Sequence, residues 1–104
     1  MRRAIRRVSY RRPGRLIPKA ESGLRAGSIQ LRPGERMAWH STRDREELLI
    51  ILSGRLRVEI ASSATAIRRL SVGGGEAVFL PKRTPHAVVN ASRAKAAYLY
   101  ITGA

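Results

Sequence analysis

The chain contains no cysteine. That excludes disulfide frameworks, thiolate nucleophiles and cysteine-ligated zinc or iron–sulfur centres together, leaving imidazole and oxygen as the only strong metal ligands. Imidazole is itself scarce, for the only histidines are His40 and His86. Acidic residues are few as well: 7 against 21 lysines and arginines, for a formal charge of +14 over 104 residues. Such a balance attracts nucleic acid, anionic lipid or anionic metabolites through long-range fields and says nothing about fold. No apolar run approaches the ~18 residues of a membrane helix. The basic start has no apolar segment behind it, and Pro13-Gly14 interrupts any amphipathic presequence helix, so a cytoplasmic location is expected.

Hydrophobic residues make up 43%, enough for one globular domain with a single core. The positive charge is uneven. Residues 1–25 hold nine basic residues and one acid, and residues 1–15 alone hold seven arginines with Ile5, Val8 and Tyr10 as the sizeable apolar side chains. Residues 1–22 are therefore expected to form a basic arm, solvated or pairing as an edge strand with a second subunit. Tyr10 is a thin stacking platform, so contact with nucleic acid through this arm would be nonspecific.

From residue 28 onward, short β-type runs alternate with turn signals at regular intervals. Pro33-Gly34, Ser53-Gly54, Ser62–Thr65, Gly73–Gly75, Pro81–Pro85 and Ser92–Lys95 punctuate strands at Ser28–Arg32, Met37–Ser41, Glu47–Leu52, Arg55–Ile60, Ala66–Val72, Ala77–Leu80, His86–Asn90 and Ala96–Thr102. Strict alternation in Arg55–Ile60 puts Leu56, Val58 and Ile60 on one face and charges on the other. Leu48–Leu52 is apolar on both faces, which predicts a second sheet or subunit against it. No helical period is sustained over three turns, so the fold class is all-β, a sandwich, jelly roll or barrel. The triple glycine lacks a following Gly-Lys-Ser/Thr and is read as a tight turn, not a phosphate loop.

Along a strand, residues two apart share a face. His40 then sides with Thr42, Glu47 with Leu49 and Ile51, and His86 with Val88 and Asn90. If those faces point inward, two imidazoles and a carboxylate meet inside the barrel, a set able to hold a first-row divalent metal on one side. The competing reading makes each histidine a hydrogen-bonded core or surface residue.

The spacings also carry a resemblance. Gly34, five residues, His40, one residue, Thr42, four residues, Glu47, six residues, Gly54 resembles the first motif of the cupin superfamily, with Thr42 standing where the family has a second histidine. Gly75, five residues, Pro81, one residue, Arg83, two residues, His86, three residues, Asn90 resembles its second motif, with Arg83 in place of a glycine.

The resemblance implies a single-domain jelly-roll (double-stranded β-helix) barrel over residues 23–104, usually a homodimer. It also implies a Mn, Fe, Zn or Ni ion held by His40, Glu47 and His86. Thr42 is a poor metal ligand, expected to hydrogen-bond a bound water or substrate. Glu46, Tyr98 and Tyr100 are the remaining candidates for acid–base work, although alternation turns Glu46 to the opposite face. Arg83 is either a solvated turn residue or a carboxylate binder, and Trp39 should face away from His40. The implied activity is metal-dependent oxidation or Lewis-acid isomerase or lyase chemistry on a small molecule; the alternative is a non-catalytic binding or sensor module for a sugar-like ligand.

Overall fold

The computed structural model describes residues 5–18 and 23–103, so the expected arm is described over 5–18 and its residues 1–4 and 19–22 lie outside the described residues. Nine strands form: β1 (Gly14–Arg15), β2 (Arg25–Leu31), β3 (Arg36–Ser41), β4 (Glu46–Ser53), β5 (Arg55–Ala61), β6 (Ile67–Gly73), β7 (Ala77–Leu80), β8 (Pro85–Val89) and β9 (Ala96–Gly103). They make two antiparallel sheets, ordered β1-β2-β9-β4-β7 and β3-β8-β5-β6. No helix among the described residues is long and apolar enough to cross a membrane. The all-β class expected from the turn spacing, and the jelly roll implied by the resemblance, are the fold observed.

The core lies between the sheets and follows from alternation. Leu49 and Ile51 of β4, Leu56 and Val58 of β5, Leu80 of β7, Val88 of β8 and Tyr98 of β9 are buried together. Each such side chain contributes about 1.5–3 kcal/mol by leaving water. Gly54 turns β4 into β5 with φ of 76°, and a Cβ there would press on the Lys95 carbonyl oxygen at 2.7 Å. A side chain at this first-motif glycine is therefore barred both by its backbone angle and by its neighbours.

Two expectations are modified. The non-core face of β5 is not wholly solvated: Glu59 is buried beneath Arg36, Arg57 and Arg69, whose nitrogens stand 2.9, 3.3 and 3.3 Å from its carboxylate. Arg57 shares the face of β5 with Glu59, but Arg69 comes from β6 and Arg36 from β3, and alternation within a single strand does not reveal those two. The arm, over its described part, pairs within its own chain. Gly14 and Arg15 pair with Ser28 and Gly27, the Leu16 N–H donates to the Ala26 carbonyl, and Ser28 Oγ donates to the Tyr10 carbonyl at 2.7 Å.

Candidate metal centre

The register of β3 against β8 shifts by one residue between Met37 and His40. In a regular strand these two side chains would face opposite ways; the bulge brings both to the wall of one cavity. It also sets His40 directly opposite His86, the two rings 4.3 Å apart between centroids and tilted by 59°. Glu47 arrives from the other sheet. It follows the inward alternation of Leu49 and Ile51 on β4, while Glu46 is exposed on the outer side.

His86 Nε2 and Glu47 Oε1 meet at 3.1 Å across the gap between the sheets. His86 is 1% exposed and Glu47 is buried, while His40 stands at the open side. Each imidazole is aimed by the carbonyl two residues before it: Nδ1 of His40 lies 2.7 Å from the Ala38 oxygen and Nδ1 of His86 lies 2.9 Å from the Thr84 oxygen. A carbonyl only accepts, so each Nδ1 carries the proton and Nε2 is left as the nitrogen facing the site.

The three side chains suit a first-row divalent ion. Their ligand atoms all lie within 4.8 Å of one another. Neighbouring ligands on such an ion are about 3 Å apart, the separation already held by His86 and Glu47. The chemistry agrees with the geometry, two imidazole nitrogens and one carboxylate, with one side left open.

Charge at the site is tuned by burial and by Glu47. Burial opposes protonation of His86, but its hydrogen bond to Glu47, the Thr84 carbonyl and the Glu47 charge outweigh burial and raise its pKa. Burial pushes the Tyr98 phenol well above its ordinary value, and the charges of Glu47 and Tyr100 push it the same way. Tyr98 therefore stays a neutral phenol. Tyr100 lies beside it in the cavity wall, its ring laid over Gly27 so closely that a Cβ there would overlap it.

Thr42 is occupied elsewhere. Its hydroxyl donates to the Pro81 carbonyl at 2.7 Å and accepts from the Thr84 N–H at 3.0 Å, while its own N–H donates to the Thr84 carbonyl. It clasps the β3–β4 turn to the β7–β8 turn. Arg83 sits in the second turn with φ of 56°, its N–H donating to the carbonyl of Arg43, which has φ of 57°. The turn keeps the left-handed residue for which glycine is the usual occupant, with an arginine in its place. Asn90 is buried and satisfied on both ends: Nδ2 donates to the Leu31 and Ala94 carbonyls, and Oδ1 accepts from the N–H and hydroxyl of Ser92. Trp39 is exposed and does not line the cavity.

These two motifs on two facing sheets match the model of the cupin domain family over residues 27–102. The chain belongs to the cupin family. Solved structures share its fold. A Cupin 2 conserved barrel domain protein from Salinispora arenicola superposes with a TM-score of 0.75 at 18% identity, covering 100% of this chain and 91% of that one. The cupin domain of Cnp3 from Schizosaccharomyces pombe gives 0.75 at 14%, with 88% and 62% covered. An oxalate oxidase gives 0.72 at 20%, with 79% and 42% covered. The chain thus spans less than two thirds of the last two, and at these identities the likeness concerns the fold. No curated protein matches the sequence at a significant level.

The cavity of this cupin measures about 690 Å³. Besides the expected His40, Thr42, Glu47, His86, Tyr98 and Tyr100, its wall includes Arg15, Arg25, Arg43, Asp44 and Arg45, but not Arg83. These were not singled out from the sequence. Arg43, Asp44 and Arg45 stand in the charged connection after Thr42, the one local signal that pointed to them.

Proposed function

We propose that this cupin is a metal-dependent enzyme acting on a small molecule. The observation that carries the reading is the meeting of His40, Glu47 and His86 from three strands in the wall of a cavity of about 690 Å³, within the size range of small-molecule sites. Bound there by Nε2 of both histidines and the Glu47 carboxylate, a Mn, Fe, Zn or Ni ion would supply Lewis-acid or one-electron chemistry to an oxygen-bearing substrate. The chain's own residues do the rest. The Ala38 and Thr84 carbonyls hold the imidazoles in one tautomer, Tyr98 holds a proton beside Glu47, and Ile29, Met37, Leu49 and Val88 exclude water from the inner wall. The likeness to an oxalate oxidase supports the enzyme reading at the level of fold.

A non-catalytic binding module for a sugar-like ligand is the second reading, favoured by one observation: Thr42, where the family has a further histidine, is committed to the Pro81–Thr84 turn. In either case we read residues 1–22 as a basic arm and residues 23–104 as the barrel domain, in a cytoplasmic homodimer whose nonspecific attraction to nucleic acid would fade steeply with salt. The subunit contact is assigned to the outer face of the β1-containing sheet, where Phe79 is 58% and Leu48 36% exposed.

Elemental analysis of protein purified without added metal, then offered Mn, Fe, Zn and Ni, tests the metal. The expected result is one ion per chain, lost in His86→Ala; a wild type that refuses all four metals overturns the reading. Sedimentation of the same preparation should give a dimer that Phe79→Glu converts to monomer.

A further inference from the structure

Four arginines share the cavity wall: Arg15 from β1, Arg25 from the start of β2, and Arg43 and Arg45 from the β3–β4 turn. Against them stand two carboxylates, Asp44 and Glu47, so the wall carries a formal charge of +2. Arg45 is used structurally, donating to Thr102 Oγ1, to the Thr102 carbonyl and to the Gly23 carbonyl. Arg15, Arg25 and Arg43 enter no ion pair among the described residues.

Two of these three are placed there at a cost or by a dedicated element. Arg43 holds a left-handed backbone, a strained conformation for a residue that carries a β-carbon. Arg15 reaches the cavity because the arm pairs with β2 through Gly14 and Arg15, and Ile17 just beyond lines the same wall. Ile29, Met37 and Tyr100 line the same cavity. The wall therefore combines guanidiniums that form no ion pair among the described residues, whose planar forks match oxyanions, with an apolar surface.

We propose that the cavity takes an organic anion, its carboxylate or phosphate group held by Arg15, Arg25 and Arg43 and its apolar body against Ile17, Ile29, Met37 and Tyr100. This rests on reading the cavity as a small-molecule site and adds the chemical class of what enters it. The arm is then part of the binding site.

The test uses the full chain, metal-free in chelator, titrated calorimetrically with benzoate, phenyl phosphate and neutral benzamide. At least one anion should bind about tenfold more tightly than benzamide, a difference of about 1.4 kcal/mol. The triple variant Arg15→Gln, Arg25→Gln, Arg43→Gln should lose that preference, while Arg68→Gln, on the other sheet, should keep it. Preference for benzoate assigns a carboxylate and preference for phenyl phosphate a phosphate monoester. Equal binding of benzamide, no binding of either anion at millimolar concentration, an unchanged triple variant, or equal loss in Arg68→Gln overturns the proposal. A parallel Mn titration separates the two readings: the triple variant should load like wild type, and a wild type that takes anion but no Mn overturns the metal reading alone.

Discussion

His86 Nε2 and Glu47 Oε1, carried by opposite sheets, stand 3.1 Å apart with the far ring nitrogen of His86 against the Thr84 carbonyl. An imidazole placed between a carboxylate and a carbonyl has acceptors on both sides, so it is stable as the doubly protonated cation. The proton on Nε2 occupies the line along which a metal would join the two residues. A metal bound as proposed would therefore compete with the proton for one place.

The first prediction concerns pH. The folded-state pKa of His86 is raised, so its pairing with Glu47 stabilises the metal-free protein fully below the unfolded value of about 6.5 and is lost as pH rises through the folded value. Metal uptake runs the other way, strengthening as that proton leaves. Denaturation of metal-free protein across pH 5–9 should show the first trend, and calorimetry in buffers of different ionisation enthalpy should show proton release on metal binding. Release of no proton would sink the competition.

The second concerns Thr42. Thr42→Val keeps the volume but leaves the buried Thr84 N–H and the Pro81 carbonyl without their partner. A loss of about 1–3 kcal/mol is expected in chemical denaturation. Metal stoichiometry should be unchanged, because this hydroxyl is turned to the turn and is no part of the His40, Glu47 and His86 set.

The third concerns Arg83. Relief of its left-handed backbone in Arg83→Gly is offset by the larger entropy glycine brings to the unfolded chain, leaving a gain of up to about 1 kcal/mol. A midpoint shifted to higher denaturant with unchanged slope is the expected outcome. A lower midpoint would show that the side chain, not the backbone, governs the turn.

Strand positions, inward faces and the pairing of the two motifs were legible in the sequence because they depend on spacing and on alternation within a strand. An all-β sandwich, jelly roll or barrel follows from them, as does the placing of Glu47, Leu49 and Ile51 inside and Glu46 outside, and the resemblance of the two motifs narrowed the choice to the jelly roll. Tertiary structure alone decided the rest. The bulge that turns His40 to the side of Met37 depends on the strand opposite, and the commitment of Thr42 depends on a turn some forty residues away. The burial of Glu59 under Arg36 and Arg69 and the arrival of Arg15 and Arg25 in one cavity wall with Arg43 are equally non-local. A run of arginines reads as a solvated arm until chain pairing sets part of it in a cavity wall. Charge in a sequence has an amount but no place, and only the packing of sheet on sheet supplies one.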